Sequence, residues 1–310
     1  FSYRMDDFSF DDTRYINSHI DYETFVRDNV YVQKLYVLPN DRLNIYDDLV
    51  NRGIYNFSEG KKHQIKIVVT DFNKNTSVLS FNVTGVPPTP AAVVKDEDTD
   101  RIVMPYNRNN RFIARDVSVS IPSGALYDTL FFKYRRSPGS KEMYSDVHHI
   151  HDIYTPVQKP YTLTIRPERI PERLASKMLI VQSGLNNRKI PVSSHWSEGS
   201  LTAELLTFGN FYIGADTISP VIIPVGISQG ADLSGREIMK FRITDNFSGI
   251  GSWEPVIDGR WALFEYDQKN NVLIYRFDPV RISKGNKHKL TLKVSDNTNN
   301  VKTLNFDFKW

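Results

Sequence analysis

A twelve-residue stretch of this chain occurs twice, and the repeat limits the fold more than any other feature of the sequence. Gly60-Lys61-Lys62-His63-Gln64-Ile65-Lys66-Ile67-Val68-Val69-Thr70-Asp71 returns 225 residues later as Gly285-Asn286-Lys287-His288-Lys289-Leu290-Thr291-Leu292-Lys293-Val294-Ser295-Asp296. The correspondence continues without a gap: Asn75 matches Asn300, Leu79 matches Leu304 and Phe81 matches Phe306. Each copy alternates apolar and polar residues, turns, and alternates again, as a pair of half-buried strands does. The copy at 60–83 precedes a proline-rich stretch and the copy at 285–308 closes the sequence, so both read as closing hairpins. Two related β-sandwich modules therefore bracket a different segment.

Prolines mark the first boundary. Val86-Pro87-Pro88-Thr89-Pro90 lacks ladder donors and reads as a semi-rigid spacer, and Asp216-Thr217-Ile218-Ser219-Pro220 marks the second boundary. The sequence thus predicts an all-β chain of three tandem β-sandwich modules, the first and last immunoglobulin- or fibronectin-like and the middle one distinct. Residues 1–85 form a truncated module with one short helix, where Asp21 caps a turn carrying Tyr22, Phe25 and Val26 on one face. Strands are expected there at Gln33–Val37, Ile65–Val69 and Val78–Val83. Residues 91–215 carry Val117, Val119 and Ile121 alternating with Ser118 and Ser120. Further strands are expected at Leu130–Phe132, Tyr161–Ile165, Met178–Val181 and Leu201–Leu205. Residues 216–310 are a complete sandwich, with Leu290, Leu292 and Val294 facing its core. The chain opens at Phe1, without Met, on strand-like Tyr3-Arg4-Met5; it is expected to be part of a longer protein, with an open strand edge in its first module.

Composition removes several function classes. Cys is 0, which excludes disulfide frameworks, thiol nucleophiles and cysteine-based zinc sites. Lys+Arg 39 against Asp+Glu 36 leaves +3 with the signs interspersed, and Lys133-Tyr134-Arg135-Arg136 is the sole short basic cluster, so no nucleic-acid partner is expected. No apolar run approaches a membrane span, and no leader peptide is visible. Neither a G-x-S-x-G elbow nor a phosphate-binding glycine loop is present.

The candidate sites are few. In Asp146-Val147-His148-His149-Ile150-His151-Asp152, His149 and His151 would share a strand face and are the metal candidates, yet ligands crowded into one pentapeptide cannot surround a zinc ion tetrahedrally. Asp71 with Asn75, Asp296 with Asn300, and Asp245 in Asp245-Asn246-Phe247-Ser248-Gly249 read as Asx turns that are also calcium candidates. The acidic run Asp96–Asp100 lacks the glycine a calcium loop needs. Trp253 and Tyr266 form a candidate platform for a glycan or peptide, with Trp261 assigned to the core. No residue is assigned a catalytic role.

The segment Asp7-Phe8-Ser9-Phe10-Asp11-Asp12-Thr13-Arg14-Tyr15-Ile16-Asn17-Ser18-His19-Ile20-Asp21-Tyr22 resembles the region that follows the catalytic domain in lysostaphin-type zinc endopeptidases of Bacteroidetes. Ile153-Tyr154-Thr155-Pro156, Asp245–Ile250, Asp258-Gly259-Arg260-Trp261 and Phe264-Glu265-Tyr266-Asp267 are similar to the same C-terminal region. Separately, Val117–Leu126, with its Ile-Pro-Ser-Gly-Ala-Leu core, resembles the opening of the β-sandwich found in ankyrins and netrin receptors. The first resemblance implies a parent that cuts cell-wall peptide cross-links, with its zinc ligands in a preceding domain; none carries over to this chain. The expected function is a non-catalytic accessory region of an envelope metallopeptidase, periplasmic or surface-exposed. It would bind no cofactor itself and would partner the upstream peptidase domain and peptidoglycan or envelope proteins. The alternatives are a glycan- or protein-binding module of a surface adhesin, and a self-contained metal hydrolase at His149 and His151.

Overall fold

Runs of β-branched and aromatic residues at period two, broken by Gly, Pro and Asx turns, leave this chain little choice but antiparallel sheets. The computed structural model describes residues 1–5, 10–86, 102–184, 186 and 188–310, and it is all-β apart from short helices. The spacer Pro87–Pro90, the acidic run Asp96–Asp100 and Asp7–Ser9 lie outside the described residues. The chain divides into two compact units. One holds Phe1–Arg108, Ser123–Lys133 and Tyr154–Gln158; the other holds Asn109–Pro122, Tyr134–Ile153 and Lys159–Trp310.

In the first unit, Tyr15, Leu43, Ile45 and Tyr127 form a small buried cluster. Asn40 ties it down, its side-chain amide donating to the Gly124 and Leu126 carbonyls at 3.1 and 2.8 Å. The expected helix is present at Tyr22–Asp28: the Asp21 carboxylate accepts from the Thr24 amide, and Asn29, left-handed at φ 55°, ends it. Gln33–Val37 does not form the expected strand. It makes one bridge, Ile20 to Gln33, because Leu35 and Tyr36 find no apolar surface to cover and stay exposed. Ser2–Tyr3 pairs with Tyr46–Asp47, and Lys62–Thr70 pairs with Thr76–Thr84 as a separate two-stranded ladder.

Two sandwiches fill the second unit. In the middle one, a sheet ordered Lys189–Val192, Met178–Ser183, Gly209–Ala215, Val147–Ile150, Tyr134–Ser137 accompanies a sheet ordered His195–Ser197, Ser200–Thr207, Pro156–Ile165, Val117–Ile121, Asn110–Ile113. Val117, Val119 and Ile121 are buried and Ser118 and Ser120 half-buried, as the alternation predicts. Tyr161, Leu163, Ile180, Phe208, Phe211 and Ile213 complete this core.

The C-terminal sandwich sets a four-stranded sheet (Val221–Pro224, Ile238–Thr244, Val272–Arg276, Glu265–Asp267) against a five-stranded one (Ala231–Asp232, Val301–Lys309, Lys287–Asp296, Ile250–Ile257, Arg260–Trp261). Met239, Phe241, Ile243 and Leu273 from the first share a core with Leu290, Leu292, Val294, Phe306 and Phe308 from the second. Each such side chain contributes about 1.5–3 kcal/mol on leaving water. A bulge between Ile250 and Ser252 lets the Ile250–Ile257 strand bend onto the Lys287–Asp296 strand. Gly251 is required there, since a Cβ would stand 2.7 Å from the Asp296 carbonyl oxygen.

The repeat is structural as well as sequential. Ile65 pairs with Phe81 and Ile67 with Leu79, as Leu290 pairs with Phe306 and Leu292 with Leu304. The turns agree bond for bond: the Asn75 amide and side chain donate to the two Asp71 carboxylate oxygens at 2.8 Å each, and Asn300 does the same to Asp296 at 2.8 and 2.7 Å. Lys74 and Asn299 take the left-handed position in each.

Candidate functional site

The histidine stretch is pulled apart by its own backbone. Its strand ends at Ile150, and His151 stands at φ 52°, so the period-two geometry that would set His149 and His151 on one face stops between them. The His149 ring lies between Ser137 and Asn210, with Nε2 2.8 Å from the Ser137 hydroxyl and Nδ1 2.7 Å from the Asn210 side-chain oxygen. The His151 and Phe208 rings meet in a T-shape at 5.4 Å, and His151 Nε2 lies 3.4 Å from Asp152. Both nitrogens of His149 are thus engaged, and the pair does not fit a zinc ion.

His148, which the sequence reading passed over, is the buried member of the three. It is fully enclosed, and its Nδ1 lies 3.0 Å from the Tyr134 hydroxyl. Asp116, Asp146 and Glu168 converge beside it, with carboxylate oxygens within 4.8 Å of one another, and Arg136 supplies the counter-charge at 3.2 Å from Asp146 and 3.8 Å from Asp116. Burial pushes the His148 imidazole below its ordinary 6.5, against the pull of Asp116 and Asp146. The unfolded chain therefore takes up a proton near pH 6.5 that the folded chain refuses. Stability from neutral His148 is full above that pH and is lost as the pH falls below it, by at most about 1.4 kcal/mol per pH unit for one proton. His19, also pushed down by burial, adds to the same slope. The thermal midpoint is expected to fall between about pH 7.5 and pH 5.5, and to fall less steeply in His148→Gln. An unchanged slope in that variant would remove His148 from the account.

The Asx turns of the C-terminal sandwich meet at one place. Asp216, Asp245 and Asp296 bring carboxylate oxygens within 4.8 Å of one another. Asp216 accepts from the Ile218 and Ser248 amides, Asp245 from the Phe247 and Gly249 amides, and Asp296 from the Thr298 and Asn300 amides. The Asn300 side chain also donates to the Asp216 carbonyl at 2.9 Å, which fastens the start of the last module to its closing turn. Asp245 Oδ1 and the Ser248 hydroxyl are enclosed without hydrogen-bond partners. These three carboxylates are the residues that could hold a calcium-like cation, although a full shell takes six to eight oxygens and five of the six carboxylate oxygens already accept hydrogen bonds. Asp71 and Asn75 form the same turn in the open, and hydrogen bonds from Asn75 hold the Asp71 carboxyl below its usual range.

The aromatic candidates exchange places. Trp253 is half-buried against Tyr266 at a ring separation of 5.0 Å, and both pack on the core. Trp261, expected inside, is 69% exposed, because it sits on a two-residue edge strand just past the Asp258-Gly259 turn. Its outward position follows from the Val256–Trp261 register rather than from hydrophobicity.

The family described as "Zu5-like domain" matches residues 101–216. Among solved structures, the fibronectin(III)-like modules of Clostridium thermocellum CbhA are similar over 49% of this chain and 85% of theirs, at 11% identity and a TM-score of 0.24; a likeness that faint carries no argument. No curated protein matches the sequence. A Zu5-like segment within an all-β sandwich architecture is the make-up of an accessory or binding module. No described helix is long and apolar enough to cross a membrane.

Proposed function

We propose that this chain is a non-catalytic accessory region of a bacterial cell-envelope metallopeptidase, which positions the enzyme or binds cell-wall or protein partners. The Zu5-like match across the middle sandwich supports the accessory or binding role. The resemblance of Asp7–Tyr22 and the C-terminal motifs to the tail of lysostaphin-type endopeptidases supplies the parent. Two of the candidate side chains take part in the fold: His149 is held between Ser137 and Asn210, and Asp296 organises its own turn. Zinc belongs to the upstream peptidase domain of that parent, in the periplasm or at the cell surface.

The test is metal content and activity in one sample. Chelator-washed protein is expected to hold no stoichiometric zinc and to leave peptidoglycan cross-links intact. One equivalent of zinc together with cross-link cleavage would overturn the reading.

The exposed Trp261 favours a second reading, a glycan- or protein-binding module of a surface adhesin. Retention on a peptidoglycan or glycan matrix should then drop about tenfold or more in Trp261→Ala. Trp253→Ala would weaken it only through the fold, with a lowered thermal midpoint. Retention indifferent to both substitutions argues against an aromatic platform.

A further inference from the structure

The hairpin is built twice, and among the described residues only the second copy has its apolar side fully covered; Ile65 and Ile67 of the first are half-buried. Paired residues of an antiparallel ladder share a face. Ile65 with Phe81, Ile67 with Leu79, and His63 with Val83 therefore make one side, while Lys62 with Thr84, Gln64 with Asn82, Lys66 with Ser80 and Val68 with Val78 make the other. The corresponding side of the C-terminal hairpin is sealed: Leu290 and Leu292 are 0% exposed and Phe306 1%. In the first copy Phe81 is 42% exposed, Leu79 58% and Val69 64%. A two-stranded hairpin with an uncovered apolar face is marginal in water by itself.

The second copy shows what covers such a face. The Ile250–Ile257 strand pairs along the edge of Lys287–Asp296, and a second sheet lays Phe241 and Leu273 over the apolar side. The turn that ends the pairing strand carries Asp258, whose carboxylate lies 2.6 Å from Nδ1 of His288, while Nε2 lies 2.8 Å from the Ser283 carbonyl. In the first copy, Lys62–Thr70 pairs with Thr76–Thr84 and with no other strand among the described residues. His63, the counterpart of His288, rests on Phe57 at 4.8 Å, and its enclosed Nε2 has no hydrogen-bond partner.

We propose that the apolar face and the Lys62–Thr70 edge of the first hairpin form a docking surface for a partner sheet, which would complete an immunoglobulin-like sandwich. The occupant is an antiparallel sheet of a partner polypeptide. It brings an unpaired edge strand that ends in an acidic turn, and a facing layer of aliphatic and aromatic side chains. Binding is by strand addition, with main-chain hydrogen bonds along one edge and side-chain burial on one face.

The C-terminal module of the same chain serves as the probe, because it contains a sheet set of this kind. In the 310-residue chain, residues 285–309 are replaced by residues 60–84. The exchanged hairpin is expected to close the sandwich, so amide protection across Ile238–Arg276 stays within about tenfold of the parent protein. A control exchange carrying Ile65→Ser and Phe81→Ser should lose protection there by about a thousandfold or more. An exchanged protein that is no better protected than this control would overturn the proposal, since the hairpin would not fit such a sheet. Light scattering on the unaltered protein separates the remaining occupant: a monomer is expected, and a dimer dissolved by Leu79→Ser with Phe81→Ser would overturn the proposal by making a second copy the cover.

Discussion

Replacing Phe306 by alanine is expected to destabilise the C-terminal sandwich by about 3–5 kcal/mol, whereas Phe81→Ala should cost less than about 1 kcal/mol. The two phenylalanines occupy the same register position of the same hairpin, opposite Leu290 and Ile65. Phe306 is buried to 1% and meets the Phe241 ring edge-on at 5.3 Å. Its removal would leave a cavity that two packed sheets cannot collapse around, which adds to the lost transfer energy. Phe81 is 42% exposed, so truncation there removes little buried surface. Chemical denaturation of both variants checks the pair; equal losses would mean that the first hairpin is packed as tightly as the second.

Asp296→Ala is expected to cost about 2–4 kcal/mol, because it orphans several buried donors at once. Asp296 is 2% exposed, and its carboxylate accepts from the Thr298 and Asn300 amides and from the Asn300 side chain. Asn300 also donates to the Asp216 carbonyl, so the change loosens the start of the module as well as its closing turn. Asp296→Asn keeps the shape but presents a donor where two acceptors are needed, and should recover only part of the loss. The same substitution at Asp71 acts on an exposed turn and should leave the main unfolding transition where it is. A loss at Asp296 below about 0.5 kcal/mol would show that water replaces the carboxylate easily.

The strands with strict alternation were legible because each buries one face. Val117–Ile121 and Leu290–Val294 are both of this kind, and the position of every core side chain in them followed from period two. The Asx turns were legible for a local reason: an Asp bonds backbone amides two and four residues on wherever the chain carries it. Legibility stopped where tertiary placement decides. Nothing in Trp253 and Trp261 tells which ring a sheet will cover; the two-residue strand past Asp258-Gly259 puts Trp261 outside. Period two sets His149 and His151 on one face only in a continuous strand, and a left-handed residue at 151 ends it. The convergence of Asp216, Asp245 and Asp296 was invisible for the same reason, since residues 80 apart meet only once both sheets have formed. His148 gave no signal beyond its neighbours, because burial depends on which face of Val147–Ile150 turns inward.

The repeated hairpin ties these observations together: one sequence pattern, one register and one turn, in two environments. Hydrogen exchange on the intact chain tests that claim most directly. Amides of Leu290–Val294 and Thr303–Phe308 are expected to exchange only through opening of the C-terminal sandwich. Those of Ile65–Val69 and Val78–Val83 should exchange at least about a hundredfold faster, by local fraying of an uncovered ladder. Equal protection in the two hairpins would contradict the account, for it would mean that the first copy is already covered.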